Sequence, residues 1–236
     1  MSELNDIIVK ADHLFDKCQS EDAYELLKKH IVCSSINKNT FLGLLNSSFF
    51  SQEPPLYEIQ WRLAQAIYRV YKEHQQTNKK RAEALILEGY DISSKLLLST
   101  PYAANSHRFY ATFLLEKATI EGPKQLTRIL TKALDHIKTA KRLDPQDPFV
   151  WFMEGVFYER LASLQWIEKK FVYMFNRDLV QPTYEDALEC LLKAEELRPN
   201  FVFLNNFIIG KIYYDIKEYG KAKVYLGLVA NLDPVR

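Results

Sequence analysis

The chain has 236 residues, 47% of them hydrophobic and 26% charged, which is ample core for one domain or two small ones and excludes wholesale disorder. Its seven glycines are too few for an all-β fold full of tight turns or for a glycine-rich phosphate loop. The net charge of +1 conceals a basic island: residues 79–143 carry 12 basic against 6 acidic side chains, while residues 1–78 sum to −2 and 144–236 to −3.

The opening segment MSELNDIIVKADH has early acids and no sustained apolar run, so it reads as neither a signal nor a transit peptide. No apolar run anywhere approaches the roughly 18–20 residues of a membrane span. Cys18, Cys33 and Cys190 form no CxxC pair, and an odd number suits a reducing compartment. A cytoplasmic protein without a transmembrane anchor is expected.

ADHLFDK followed by DAYELLKKH predicts a helical pair over residues 3–33, a weak match to the tetratricopeptide repeat (TPR). Residues 34–56 break the pattern with serine, asparagine and paired prolines, and read as a connection. Its Phe41, Leu42, Leu44, Leu45, Phe49 and Phe50 need cover, either by packing on neighbouring helices or by docking a partner.

The main array runs over 57–236. Trp61 and Tyr68 mark a first repeat half, and Pro101 ends that repeat. Helices are predicted over 102–120 and 124–143, the latter with Ala133, Ile137, Ala140 and Leu143 in register before Pro145. Trp151, Gly155 and Tyr158 begin the next repeat; Ala187, Leu191, Ala194, Leu197 and Pro199 complete it. Gly210, Tyr213, Ala222, Leu226 and Pro234 form the last and clearest one. In that last repeat glycine admits close helix contact, tyrosine and alanine fill it, and proline stops the second helix. The terminal prolines fall 44, 54 and 35 residues apart, so the 54-residue unit contains an insert, taken as 164–182.

LQWIEKKFVYMFNRD, at the start of that insert, is apolar in nearly every direction when wound as a helix. Such a helix is buried or in a membrane, and this one is too short to span. It is therefore expected to plug the concave side of the array through Trp166, Phe171 and Phe175. The inward positions of the first helices give a groove lined by Arg62, Arg69, Tyr110, Phe113, Phe152, Phe207, Lys211 and Tyr214. The same lining could instead receive a foreign peptide or a lipid. The fold class expected is all-α: one TPR-like domain over 1–236, an array of helical pairs closed by an inserted apolar helix.

Helix 124–143 carries a candidate partner contact. Lys124, Arg128, Lys132, Lys138 and Arg142 fall in one sector about 120° wide, opposed only by Asp135, with the apolar side chains opposite. Surface helices usually mix signs to gain i,i+4 pairs, so a single-signed stripe suits an acidic partner. Nucleic acid is disfavoured by the near-zero net charge and by the lack of a recognised module.

His13, His30, His74, His107 and His136 lack metal-ligand spacing, and neither a P-loop nor a nucleophile elbow occurs. No catalytic residue, cofactor or metal site is expected, and helical arrays are mostly scaffolds. A carboxylate-clamp adaptor is also disfavoured, because its inward positions here include Ala66, Ser106, Phe149 and Met153.

WIEKK within a TPR pair, with TYEDALECLLKAEELRPNF after it, resembles the regulator of microtubule dynamics family. ADHLFDK, AYELLKKH, WRLAQAIY and HIKTAKRLDPQDP resemble the same family in the same order along nearly the whole chain. The resemblance implies a non-enzymatic, cytosolic TPR-like domain that associates with microtubules and acts in spindle function and chromosome segregation. It also implies a branch with an N-terminal anchor and a discussed lipid-binding role; this chain, starting directly with the domain, resembles the soluble branch. Tubulin, acidic in its tails and surface, is the partner the resemblance implies for the basic stripe.

Overall fold

The computed structural model describes residues 2–41 and 54–230. Among the described residues there are eleven α-helices and no strand. The chain folds as two compact units, 1–120 and 121–236.

The first unit contains α1 (Ser2–Asp16), α2 (Ser20–Phe41), α3 (Pro54–His74), α4 (Lys79–Ser99) and most of α5 (Ala104–Glu121). Helix α1 contributes Ile7, Ala11 and Phe15, spaced by four so that they share one face. They join Ala23, Tyr24 and Leu27 of α2 and Leu63, Ile67 and Val70 of α3 in a single core. The weak N-terminal pair is thus part of the same packed body as α3. Cys18 ends α1 in the left-handed region at φ 56°, a conformation in which Gln19 N–H reaches back to the Leu14 carbonyl at 2.9 Å. Helix α2 runs on through Phe41, well into the stretch read as a connection. Residues 54–56 of that stretch begin α3 rather than a loop, and 42–53 lie outside the described residues, as do the side chains of 32–41 and the terminal Pro234 of the last repeat.

The second unit contains α6 (Pro123–Leu143), α7 (Pro148–Ala162), α8 (Trp166–Phe175), α9 (Tyr184–Leu197), α10 (Phe203–Asp215) and α11 (Tyr219–Ala230). Helix α7 begins where Asp147 accepts from Phe149 N–H at 2.9 Å with Pro148 in the first turn; α9 begins at a Thr183–Asp186 capping box. Helix α7 pairs with α9 across Gly155, where an added Cβ would lie 2.6 Å from Leu191 Cγ. Helix α10 pairs with α11 across Gly210, with Leu226 Cγ 2.7 Å from the same hypothetical atom. The two glycines therefore set the helix separations, as the repeat pattern requires.

The insert does form a helix, α8, but it is no plug. Trp166, Phe171 and Phe175 are 68%, 42% and 57% exposed, and Val172 is the one buried residue of the helix. All-round apolarity favours burial, yet α8 docks by one narrow edge. Val172 and Asn176 face α6, where the Asn176 amide donates to the Thr127 carbonyl at 2.8 Å and Thr131 donates to Asn176 Oδ1 at 3.2 Å. Among the described residues of the second unit, none wraps the other side.

Candidate partner-binding surface

Helix α6 starts after Gly122, whose φ of 107° turns the chain, and Pro123 supplies a preset first-turn dihedral. Thr127, Leu130, Ala133, Leu134, Ile137 and Ala140 recur at helical spacing and are buried. The opposite face follows of necessity. Lys124, Arg128, Lys132, Lys138 and Arg142 are all exposed, with Asp135 among them.

The electrostatics of these cations differ from those of the first unit. There Arg62 is held by Asp12 at 2.8 Å and Glu58 at 2.6 Å, Lys72 by Glu116 at 2.9 Å, and Arg81 by Glu21. Among the described residues, Lys124, Arg128, Lys138 and Arg142 form no ion pair. Lys141, on the other side of the same helix, turns inward to Glu154 and lies 4.4 Å above the Trp151 ring.

The eight residues assigned to a groove do not act alike. In the first unit Phe113 is fully buried and Tyr110 is 5% exposed, so both are core rather than lining. Arg62 is 11% exposed at its side chain and stacked on Trp61, while Arg69 donates to the Phe15 carbonyl at 3.1 Å and stacks on the Phe15 ring. Both guanidinium groups are committed to closing α1 onto α3, and burial lowers the Arg69 pKa. In the second unit Phe152 is partly buried against Phe201, and Lys211 pairs with Glu159 at 2.6 Å, a bond that raises its pKa. Phe207 and Tyr214 on α10 are exposed. Helical spacing selects positions on one side of a helix, but it does not distinguish a side facing solvent from one facing the next helix.

A buried polar cluster escaped sequence reasoning. Glu154 is 1% exposed on α7, bonded to Lys141, to the Tyr158 hydroxyl at 2.9 Å and to the Cys190 thiol at 3.6 Å. The only signal was an acid inside the apolar run FVWFMEGVFY. Burial, with the Glu154 carboxylate beside it, pushes the Cys190 thiol up to about 12. Cys190 is expected to resist iodoacetamide in the native protein at pH 8, while exposed Cys18 is alkylated, and to react only after denaturation, as peptide mass mapping will show. Because the unfolded thiol titrates near about 8.5, this group's contribution to stability is complete below that pH. It is lost as pH rises toward the folded value. Among the described residues no three His, Cys, Asp or Glu side chains gather as a metal site. No helix among them is long and apolar enough to cross a membrane.

Comparison with known proteins places this geometry in context. The family model "Regulator of microtubule dynamics protein 1-3" matches residues 7–236. Regulator of microtubule dynamics protein 2 of Homo sapiens is 27% identical over 238 residues, covering 100% of this chain and 53% of that protein. Protein 1 of Mus musculus is 24% identical over 225 residues, 95% of this chain and 67% of that one. The chain thus spans about half the length of the human relative. Among solved structures, a crystal structure of MamA aligns at 12% identity with a TM-score of 0.48, covering 93% of this chain and 92% of that one.

Proposed function

The chain belongs to the regulator of microtubule dynamics family, and on that premise we propose that it is a non-enzymatic microtubule-associated protein that contacts its polymer through the exposed cations of α6. A role in microtubule dynamics, spindle function and chromosome segregation follows from the same premise, with a cytoskeletal location. The observation that carries the contact is the charge pattern. Lys124, Arg128, Lys138 and Arg142 share one exposed face and, among the described residues, have no carboxylate partner. Mutual repulsion of like charges on one helix face is unfavourable, and an acidic surface relieves it.

The test is cosedimentation with microtubules. Binding is expected to weaken steeply with salt, since the Debye length falls from about 10 Å at 0.1 M to about 3 Å at 1 M. Tubulin stripped of its acidic tails is expected to bind less. Reversal of Lys124, Arg128 and Lys138 to Glu is expected to reduce cosedimentation to background with an unchanged circular dichroism spectrum, because all three side chains are exposed. Reversal of Asp178 and Glu189, exposed acids of the same unit, serves as the control. Full binding by the triple variant moves the contact off α6.

A further inference from the structure

We infer that the outward apolar face of α8 and the neighbouring cations of α6 form one two-part contact surface for an acidic protein partner that presents an apolar groove beside its carboxylates. The inference rests on the microtubule reading above and adds a second, unscreened component to it.

Helix α8 leaves most of its apolar side chains in solvent. A surface helix ordinarily turns its polar side to water. Here Ile167 and Met174 are 73% and 62% exposed, and Trp166 and Phe175 are also mostly exposed. At 100° per residue Ile167, Phe171, Met174 and Phe175 lie in one arc of about 100°, away from Val172 and Asn176, which meet α6. Phe171 and Phe175 pack edge to face at 5.1 Å, and Lys170 lies 3.8 Å above the Trp166 ring.

This exposure is held in place. Gln165 N–H donates to Glu168 at 2.8 Å at one end, and Asn176 bonds to α6 and to the Val172 carbonyl at the other. The protein thus spends a capped, anchored helix on presenting aromatic, methionine and isoleucine side chains to solvent. Contiguous exposed apolar surface of this kind marks an interaction site. An apolar centre rich in aromatic residues and Met, rimmed by Arg and Lys, has the anatomy of a protein interface.

The rim is supplied by α6. Thr127 and Thr131, which receive Asn176, are followed directly by Arg128 and Lys132. The cations therefore flank the line along which α8 docks. A partner able to cover both parts needs carboxylates beside a groove about 15 Å long, the length of ten helical residues. Residues 164–178 carry Lys169, Lys170 and Arg177 against Glu168 and Asp178, so local charge alone does not separate a protein from an anionic bilayer, and the vesicle arm of the test does.

The test compares the wild type, Ile167→Ser/Met174→Ser, and Lys124→Glu/Arg128→Glu in microtubule cosedimentation at increasing salt. Both substituted positions on α8 are exposed, so the circular dichroism spectrum and melt should match the wild type. The α8 variant is expected to bind about tenfold or more weakly at every salt concentration, the loss typical of truncating central interface side chains, with an unchanged salt slope. The charge variant is expected to flatten the slope instead. Wild-type binding by the α8 variant, with loss in the charge variant, overturns this inference and leaves the microtubule reading standing. Failure of the wild type to sediment overturns both. Flotation of the wild type but not the α8 variant with vesicles of equal parts phosphatidylcholine and phosphatidylserine, with microtubule binding unaltered, assigns α8 to lipid and overturns the inference as well.

Discussion

Replacing Phe113 by alanine is expected to lower the unfolding free energy by about 3–5 kcal/mol, the usual cost of emptying a large aromatic site, read from the denaturant midpoint. The ring is fully buried and stands edge-on to Tyr68 with centroids 6.2 Å apart. It occupies the space above Gly89, where an added Cβ would lie 2.1 Å from Phe113 Cε1. Glycine has no side chain to move into the vacated volume, so the cavity cannot close from that side and the upper half of the range applies. The same geometry couples the two positions. Gly89→Ala alone forces the ring aside and destabilises, whereas in the Phe113→Ala background the new methyl enters the cavity and should restore part of the loss. Trp166→Ala is the contrasting variant. With its side chain in solvent it is expected to stay within about 0.5 kcal/mol of the wild type. A Trp166→Ala loss as large as that of Phe113→Ala would mean that α8 is buried after all.

The second large effect is expected at Glu154. Glu154→Ala removes the acceptor shared by Lys141, the Tyr158 hydroxyl and the Cys190 thiol. Breaking a buried pair from one side costs about 3–5 kcal/mol. The Lys141 side chain remains 26% exposed and can recover water, which places this case near the bottom of that range. Glu154→Gln keeps the shape and an acceptor for Tyr158 and is expected to cost less than alanine. Burial and the Glu154 carboxylate both raise the Tyr158 pKa, so Glu154→Gln is also expected to bring the phenol titration, followed by ultraviolet difference absorbance, back toward its ordinary range. An unmoved titration would show that burial alone sets it.

The sequence by itself determined the helical class, the pairing glycines and the solvent face of α6. These are local matters. A glycine opposite leucine at repeat spacing, as at Gly155 with Leu191 and Gly210 with Leu226, has one structural use. An amphipathic period of 3.6 residues assigns inside and outside wherever polar and apolar sides are distinct, which is why Lys124, Arg128 and Lys138 are exposed as the pattern predicts. Family membership was legible for a related reason, in the segment WIEKK at a fixed place in the repeat.

Only the tertiary structure decided what the apolar and mixed faces do. Helix α8 is greasy on most sides, so its periodicity holds no information about direction. Its orientation comes instead from one asparagine, Asn176, whose bonds to α6 pin a narrow edge and leave the aromatic side in water. Phe113 and Tyr110 sit at groove positions of the repeat yet are core, because Tyr68 of α3 and Gly89 of α4 meet Phe113 and Tyr90 of α4 meets Tyr110. Arg62 and Arg69 carry charge yet close α1 onto α3, since Asp12 and the Phe15 carbonyl meet them there. Burial depends on which distant segment comes alongside, and a one-dimensional pattern specifies a face without specifying its neighbour.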